Sequence, residues 1–308
     1  MKFIDLFSGI GGFRLALENQ GCECVFACEL SNKKRDIYFQ NFNMKPFEDI
    51  TKINVKDIPS HEIITAGMPV QAFSSIGKKG GFDDSRGKLF FDIIRIAKYH
   101  KPYFIIMENV RNIVTMENGK LLKTIKSELQ KINYRLHYQT LNASEFGIPQ
   151  FRIKTFLIAI KNDLNYSYIP LKGTFQQVFL KDILESEAIP NMVVRNDIKI
   201  FKNDNEIDCM LKPIQLGYIG KGGRAERIYS VKGHAIALLA NAGGGGGKTG
   251  LYMTPQGVRI LTINECKRLM GFPTTHIVSK GGQGYKELGD AVIPKLVELV
   301  YNNIIKIK

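Results

Sequence analysis

The chain has 308 residues, with 43 Lys and Arg against 29 Asp and Glu, a formal net charge of +14. At 44% hydrophobic and 23% charged it can bury a sizeable core, which excludes a disordered or fibrous protein and allows one large domain or two smaller ones. No run approaches the roughly 18 uninterrupted apolar residues of a spanning helix, and the opening MKFIDLFSGIGG turns acidic and Gly-rich where a signal peptide stays apolar, so a soluble cytoplasmic protein is expected.

From residue 1 to about 163, short apolar runs alternate with longer amphipathic ones, the pattern of β-α units around a parallel sheet. Strands are predicted over residues 2–7, 23–28, 62–66, 103–107, 134–141 and 155–160. Helices are predicted over 13–20, 33–42, 88–100 and 120–131. A doubly wound α/β sheet follows. Cys22, Cys24 and Cys28 share parity on an apparent strand, and no fourth ligand lies at zinc spacing, so buried strand cysteines are expected and no metal.

After about residue 165 glycine becomes dense and periodicity fades, and GYIGKGGRAERIYS and NAGGGGGKTG read as loops between short strands. The glycine run 243–247 is either a plain linker or a binding loop that needs close backbone approach. Helical spacing returns at 263–270 and again at 288–305, where Val292, Leu296, Val297 and Val300 predict one terminal helix docking on the first sheet. The expected division is residues 1–165 with 263–308 as one domain and 166–262 as a smaller, mostly β domain. The positive excess is not confined to a tail, so it marks a basic face for a polyanion, nucleic acid first.

Asp5-Leu-Phe-Ser-Gly-Ile-Gly-Gly-Phe13 ends a strand, turns on glycine and opens a helix, which brings backbone N–H groups to a cofactor. Glu29 closes the next strand, where a carboxylate accepts from ribose hydroxyls. The turn lacks G-x-G-x-x-G, which argues against a Rossmann oxidoreductase. D-L-F-S-G-I-G-G resembles the first motif of the cytosine-C5 DNA methyltransferases of type II restriction-modification systems, and further segments resemble that family's motifs in order. Gly67-Met-Pro-Val-Gln-Ala-Phe-Ser74 is similar to the catalytic loop, Glu108-Asn-Val110 to the acid motif, Gln150-Phe-Arg-Ile-Lys154 to Q-x-R-x-R and Gly289-Asp-Ala-Val-Ile293 to the closing G-N-S-V.

The resemblance implies a Rossmann-like S-adenosylmethionine-dependent methyltransferase domain with a smaller DNA-recognition domain. The two would grip double-stranded DNA and flip a cytosine out of the stack, as chemistry on a base demands. It implies no membrane partner and a protein monomeric on DNA. By the same resemblance Phe7, Gly9, Gly11, Glu29, Asp49, Ile50 and Asp290 would surround the cofactor, with Phe73 bordering the site. Glu108 would bond cytosine N3 and N4, Arg152 would support the catalytic loop, and Lys154 would hold O2. Gln71, Ser74, Lys79 and Arg86, in or beside a basic Gly-hinged loop with Lys78 and Lys88, would meet DNA; a merely solvated charge run is the plainer alternative. GKGGRAERIYS and KTGLY are similar to the family's recognition region and imply a GCGC-like target. There Arg227 would contact guanine, and Arg224 would fill the vacated stack or bind phosphate.

The departures from the family concentrate at the chemistry. The family's nucleophile is a cysteine, and Val70 stands in its place without a lone pair to add to cytosine C6. Lys154 replaces an arginine, Leu30 an aromatic, Asp290 an asparagine and Asn241 a tyrosine. Three readings follow: an inactive or impaired methyltransferase, a DNA-binding regulator or partner subunit, or altered chemistry on the flipped cytosine without a covalent adduct.

Overall fold

Apolar segments spread over the first half of the chain pair into one six-stranded sheet. Its members are β1 (Lys2–Leu6), β2 (Glu23–Cys28), β3 (Ile63–Gly67), β4 (Phe104–Val110), β5 (Tyr134–Asn142) and, after the two-residue β6 (Gln150–Phe151), β7 (Ile153–Lys161). The order is β2-β1-β3-β4-β7-β5, with β1 to β4 parallel and β7 antiparallel to β4. The intervening helices are α1 (Gly12–Glu18), α2 (Asn32–Phe42), α3 (Lys88–His100) and α4 (Lys120–Lys131). The computed structural model describes residues 1–68, 88–186, 195–240 and 246–307. They form two units, Met1–Leu141 with Ile153–Leu171 and Pro294–Lys308, and Asn142–Arg152 with Lys172–Ile293.

In the first unit, alternate residues of four strands (Ile4 and Leu6, Ile64 and Ala66, Ile105 and Met107, Leu157 and Ala159) share one core with Phe90, Ile93 and Ala97 of α3 and Leu121, Ile125 and Leu129 of α4. The intervening Phe3, Ile63, Phe104, Ile106 and Ile158 are buried too. Both sheet faces are therefore covered, which is why these strands read as nearly continuous apolar runs. Ser31 caps α2 through a bond from Lys34 N, and Asn43 ends it at φ 51°, the left-handed conformation asparagine tolerates best after glycine.

β8 (Tyr166–Tyr168) belongs to the first unit. The second unit holds strands of its own: β9 (Lys199–Ile200), β10 (Gln215–Tyr218), β11 (Arg227–Ser230), β13 (Leu251–Thr254) and β14 (Gly257–Arg259), in the order β14-β13-β11-β10-β9. A small core of Ile219, Ile228, Leu251 and Val258 lies on this sheet. β12 (Ala235–Ile236) pairs in parallel with β6. α5 (Ile263–Leu269) starts on a capping box, Thr262 with Glu265. α6 (Gly281–Asp290) approaches so closely that a Cβ on Gly284 would come 2.1 Å from Ser279 O.

The single terminal helix expected over 288–305 is two elements. α6 stops at Asp290, its C-cap Ala291 is extended, and α7 begins at Pro294 after two further non-helical residues. Proline pushes its predecessor out of the helical region and suits a first helical position, so the break is local in origin. α7 (Pro294–Asn302) buries Leu296, Val297 and Val300 and packs on α1, and β15 (Ile304–Lys306) pairs with β8. Among the described residues no helix is long and apolar enough to cross a membrane.

Candidate active site

The sheet order reverses at β1, whose neighbours are β2 and β3, and the crevice beyond the carboxyl end of such a strand is where open α/β sheets bind ligands. The chain leaves β1 through a turn with positive φ at Phe7 (54°), Gly9 (57°) and Gly11 (87°). Ser8 N donates to Cys28 O, tying the turn to the end of β2. The Glu29 carboxylate then accepts from Gly9 N and from Ser31 N, each at 2.9 Å. One side chain thus joins the turn after β1 to the start of α2.

These residues fit the ribose end of a nucleoside cofactor. A Cβ on Gly9 would meet nothing within 4 Å, so open space lies above the turn. Gly11 differs: a Cβ there would lie 2.2 Å from the Phe42 ring, so this glycine admits the packing of α2 against α1. Asp49 is half-buried and caps the short turn Ile50–Lys52, and bonds from the Thr51 hydroxyl and amide hold its carboxyl below the ordinary carboxylate range. Ile50 is core, and its carbonyl accepts from Arg95. Leu30 is 68% exposed.

At the end of β4, Glu108 and Lys154 meet. Glu108 faces Phe156 and Lys154 faces Val110 across the antiparallel β4–β7 ladder, so the two are diagonal neighbours on one face. Their ion pair spans 2.5 Å, with side chains 7% and 19% exposed. Asn109 turns the other way and donates to Met68 O.

Within the second unit the Arg152 guanidinium donates to Leu238 O (3.2 Å), Gly289 O (2.9 Å) and Ala291 O (3.0 Å). Gln150 Nε2 donates to Leu269 O, and Gln150 Oε1 accepts from Leu238 N. The Q-x-R pair therefore ties three chain segments together. Asp290 is exposed at the end of α6. Arg224 and Arg227 are both exposed, one in a short turn and one opening β11. Gly246 N donates to Ala225 O at 2.6 Å, and a Cβ on Gly246 would lie 2.3 Å from that oxygen, so this glycine of the run serves close backbone approach. Val70, Gln71, Phe73, Ser74, Lys78, Lys79, Arg86 and Asn241 lie outside the described residues, as does the Lys88 side chain.

Two buried polar clusters escape sequence reasoning. Asp5 is fully buried, with Thr65 Oγ1 at 3.0 Å and Tyr38 OH at 3.3 Å, and burial pushes its carboxyl up to about 8. Arg259 and Glu265, 1% and 0% exposed, form a two-pronged pair at 2.7 Å, and Glu265 also accepts from Thr262 N and Glu185 N. Only the Thr-x-x-Glu spacing at 262–265 signals the second. Cys22, Cys24 and Cys28 are buried free thiols; Cys24 lies 3.7 Å from Tyr38 OH, and burial pushes it up to about 12.

A model of the C-5 cytosine-specific DNA methylases matches residues 1–306. The Type II methyltransferase M.HhaI of Haemophilus parahaemolyticus is 42% identical over 308 residues, covering 99% of this chain and 94% of that protein. The Type II methyltransferase M.HaeII of Haemophilus aegyptius is 35% identical, covering 99% and 92%. Among solved structures, the Entamoeba histolytica methyltransferase EhMeth superposes with a TM-score of 0.74 at 19% identity, over 98% of this chain and 97% of that one, a likeness of fold.

Proposed function

Since the chain belongs to the C-5 cytosine-specific DNA methylase family, we propose that it binds a specific duplex, turns a cytosine out of the stack, and transfers methyl groups weakly or not at all. The family's cofactor is S-adenosylmethionine, which when bound supplies an electrophilic methyl group. Glu29 offers its carboxylate to the ribose hydroxyls, Gly9 leaves room above the turn, and Phe7 and Asp49 border the nucleoside. The catalytic part is residues 1–165 with 263–308, a Rossmann-like domain, and 166–262 is the recognition part, with Arg227 at a guanine and Arg224 in the vacated stack or on phosphate. The protein works as a monomer on cytoplasmic, nucleoid DNA.

The observation that carries the loss of activity is Val70, where the catalytic-loop motif calls for cysteine. Cytosine C5 is too weak a nucleophile to take a methyl group until a thiolate adds at C6, and valine has no electron pair for that addition. Holding the base in place does not replace the missing activation. A tritiated methyl-transfer assay on mixed duplex DNA, run on this chain and on Val70→Cys, tests the reading. Little transfer by the first and a gain by the second support it. Robust C5 methylation by the unaltered chain overturns it and points to a route without an adduct. No gain in Val70→Cys, with DNA binding intact, favours a non-catalytic regulator or partner subunit, the reading that the further departures at Leu30, Lys154 and Asp290 support.

A further inference from the structure

We propose that Arg95 is a positioning residue for the cofactor site: its guanidinium, oriented by Asp92, fixes the turn from which Asp49 meets the nucleoside. The inference rests on the cofactor reading above and says what holds that part of the site in place.

Residues 49–61 join no strand, and their backbone bonds are local, Lys52 N to Asp49 O, Asp57 N to Asn54 O and Ile58 N to Val55 O. Ile50, Ile53 and Ile58 share the core with Ile93, Ile96 and Ala97 of α3, but apolar contact is non-directional and does not fix how the turn is rotated. Direction comes from bonds to three carbonyls. Arg95 Nη2 donates to Ile50 O at 2.8 Å and Nη1 to Ile53 O at 2.9 Å, and His100 Nε2 meets Val55 O at 2.8 Å. Among the described residues, these two α3 side chains make the hydrogen bonds that tie residues 49–61 to the rest of the chain. Ile50 follows Asp49 directly, so the Arg95 grip is the one beside the nucleoside.

The grip is set before a ligand arrives. Asp92 Oδ1 accepts from Arg95 Nε at 3.1 Å and from Nη2 at 2.9 Å, and the Asp92 side chain is 13% exposed. Two nitrogens of one planar fork meet two carbonyls three residues apart, which the single ammonium of lysine does not reproduce. Within the turn, Thr51 N and Thr51 Oγ1 occupy Asp49 Oδ1 at 3.0 and 2.7 Å, which leaves Oδ2, with the exposed Lys52 ammonium 3.7 Å away, as the acceptor for a ligand. A carboxylate only accepts, and the donor that adenine carries is its amino group.

The test is calorimetry with S-adenosylhomocysteine and with S-inosylhomocysteine, which has a carbonyl oxygen in place of that amino group. The unaltered chain should bind the adenosyl ligand at least about tenfold more tightly. Arg95→Met frees the turn, so the ordering cost falls on the ligand that uses Asp49, and the ratio should drop to about threefold or less. Arg95→Lys, which keeps the charge without the fork, should drop with it. A variant that is merely less stable weakens both ligands by one factor and leaves the ratio alone, and urea unfolding records that loss separately. Should Arg95→Met not fold, Asp92→Ala, which releases the fork without removing it, is read in the same way. An unchanged ratio in any of these variants overturns the inference while leaving the cofactor site standing. No preference for the adenosyl ligand in the unaltered chain overturns the placement of Asp49 beneath it.

Discussion

The Thr65 hydroxyl, 3.2 Å from Ile4 O, donates to Asp5 Oδ1 at 3.0 Å, and the Tyr38 hydroxyl donates to Asp5 Oδ2 at 3.3 Å, contacts that favour the charged carboxylate. Complete burial outweighs them and pushes the carboxyl from 3.8 up to about 8, so Asp5 holds a proton at neutral pH. A raised folded-state value means stability that is full below about pH 4 and is lost as pH rises to about 8. His61, which burial pushes from 6.5 down to about 4, acts oppositely below pH 6.5, so the Asp5 effect is best isolated above it. Urea unfolding at pH 6.5 and 8 should show the unaltered chain losing about 2 kcal/mol relative to Asp5→Asn, from roughly 1.4 kcal/mol per pH unit. Equal losses in both proteins would mean that Asp5 is already ionised. Glu29 makes a second residue-scale prediction. Glu29→Ala removes the acceptor of Gly9 N and Ser31 N together with the ribose contact, and S-adenosylmethionine affinity should fall about 10- to 100-fold by calorimetry. An unchanged Kd would remove Glu29 from the cofactor site.

Helix α5 shows how one element depends on a side chain outside it. Its capping box uses Glu265, and the same carboxylate is held by Arg259 at the end of β14, where both side chains are fully buried. Replacing one partner of such a pair strands the other charge in the interior. Arg259→Met is therefore expected to cost about 3–5 kcal/mol in urea unfolding, while Arg259→Met with Glu265→Leu recovers much of the loss. A single substitution as mild as a surface change would mean that the pair is solvated in solution. α6 is the converse case. GGQGYKELGD is a poor helix by propensity, and it forms where Gly284 lets it approach the Ser279 carbonyl more closely than any side chain would allow.

Over the whole molecule, the +14 charge and the exposed Arg224 and Arg227 of the second unit set the expectation for DNA. Charge neutralisation of phosphates acts on every sequence alike, whereas a guanine contact acts on one. Arg227→Ala should cost about 1–3 kcal/mol on the cognate duplex and relax base preference, with little change on random DNA. Lys79→Ala should weaken both alike and lower the salt slope by about 1. Equal losses on cognate and random DNA for Arg227→Ala would reassign that arginine to phosphate.

The sequence by itself determined what depends on neighbours in the chain. Apolar runs and helical spacing located β1 to β5, β7 and α1 to α4 within a few residues, because a period of two or of 3.6 is a local property. It also put Val70, a side chain with no lone pair, at the position on which the proposed loss of activity rests. Pro294 was a legible break that the apolar spacing of Val292 to Val300 masked. Only the tertiary structure decided which distant side chains meet. Glu108 finds Lys154 through strand order and register, and Asp5 stays protonated because its complete burial outweighs the bonds from Thr65 and Tyr38. Arg152 and Gln150, adjacent letters of one motif, knit segments near residues 238, 269 and 290. Burial and cross-strand pairing depend on all the intervening chain, and no local period encodes them.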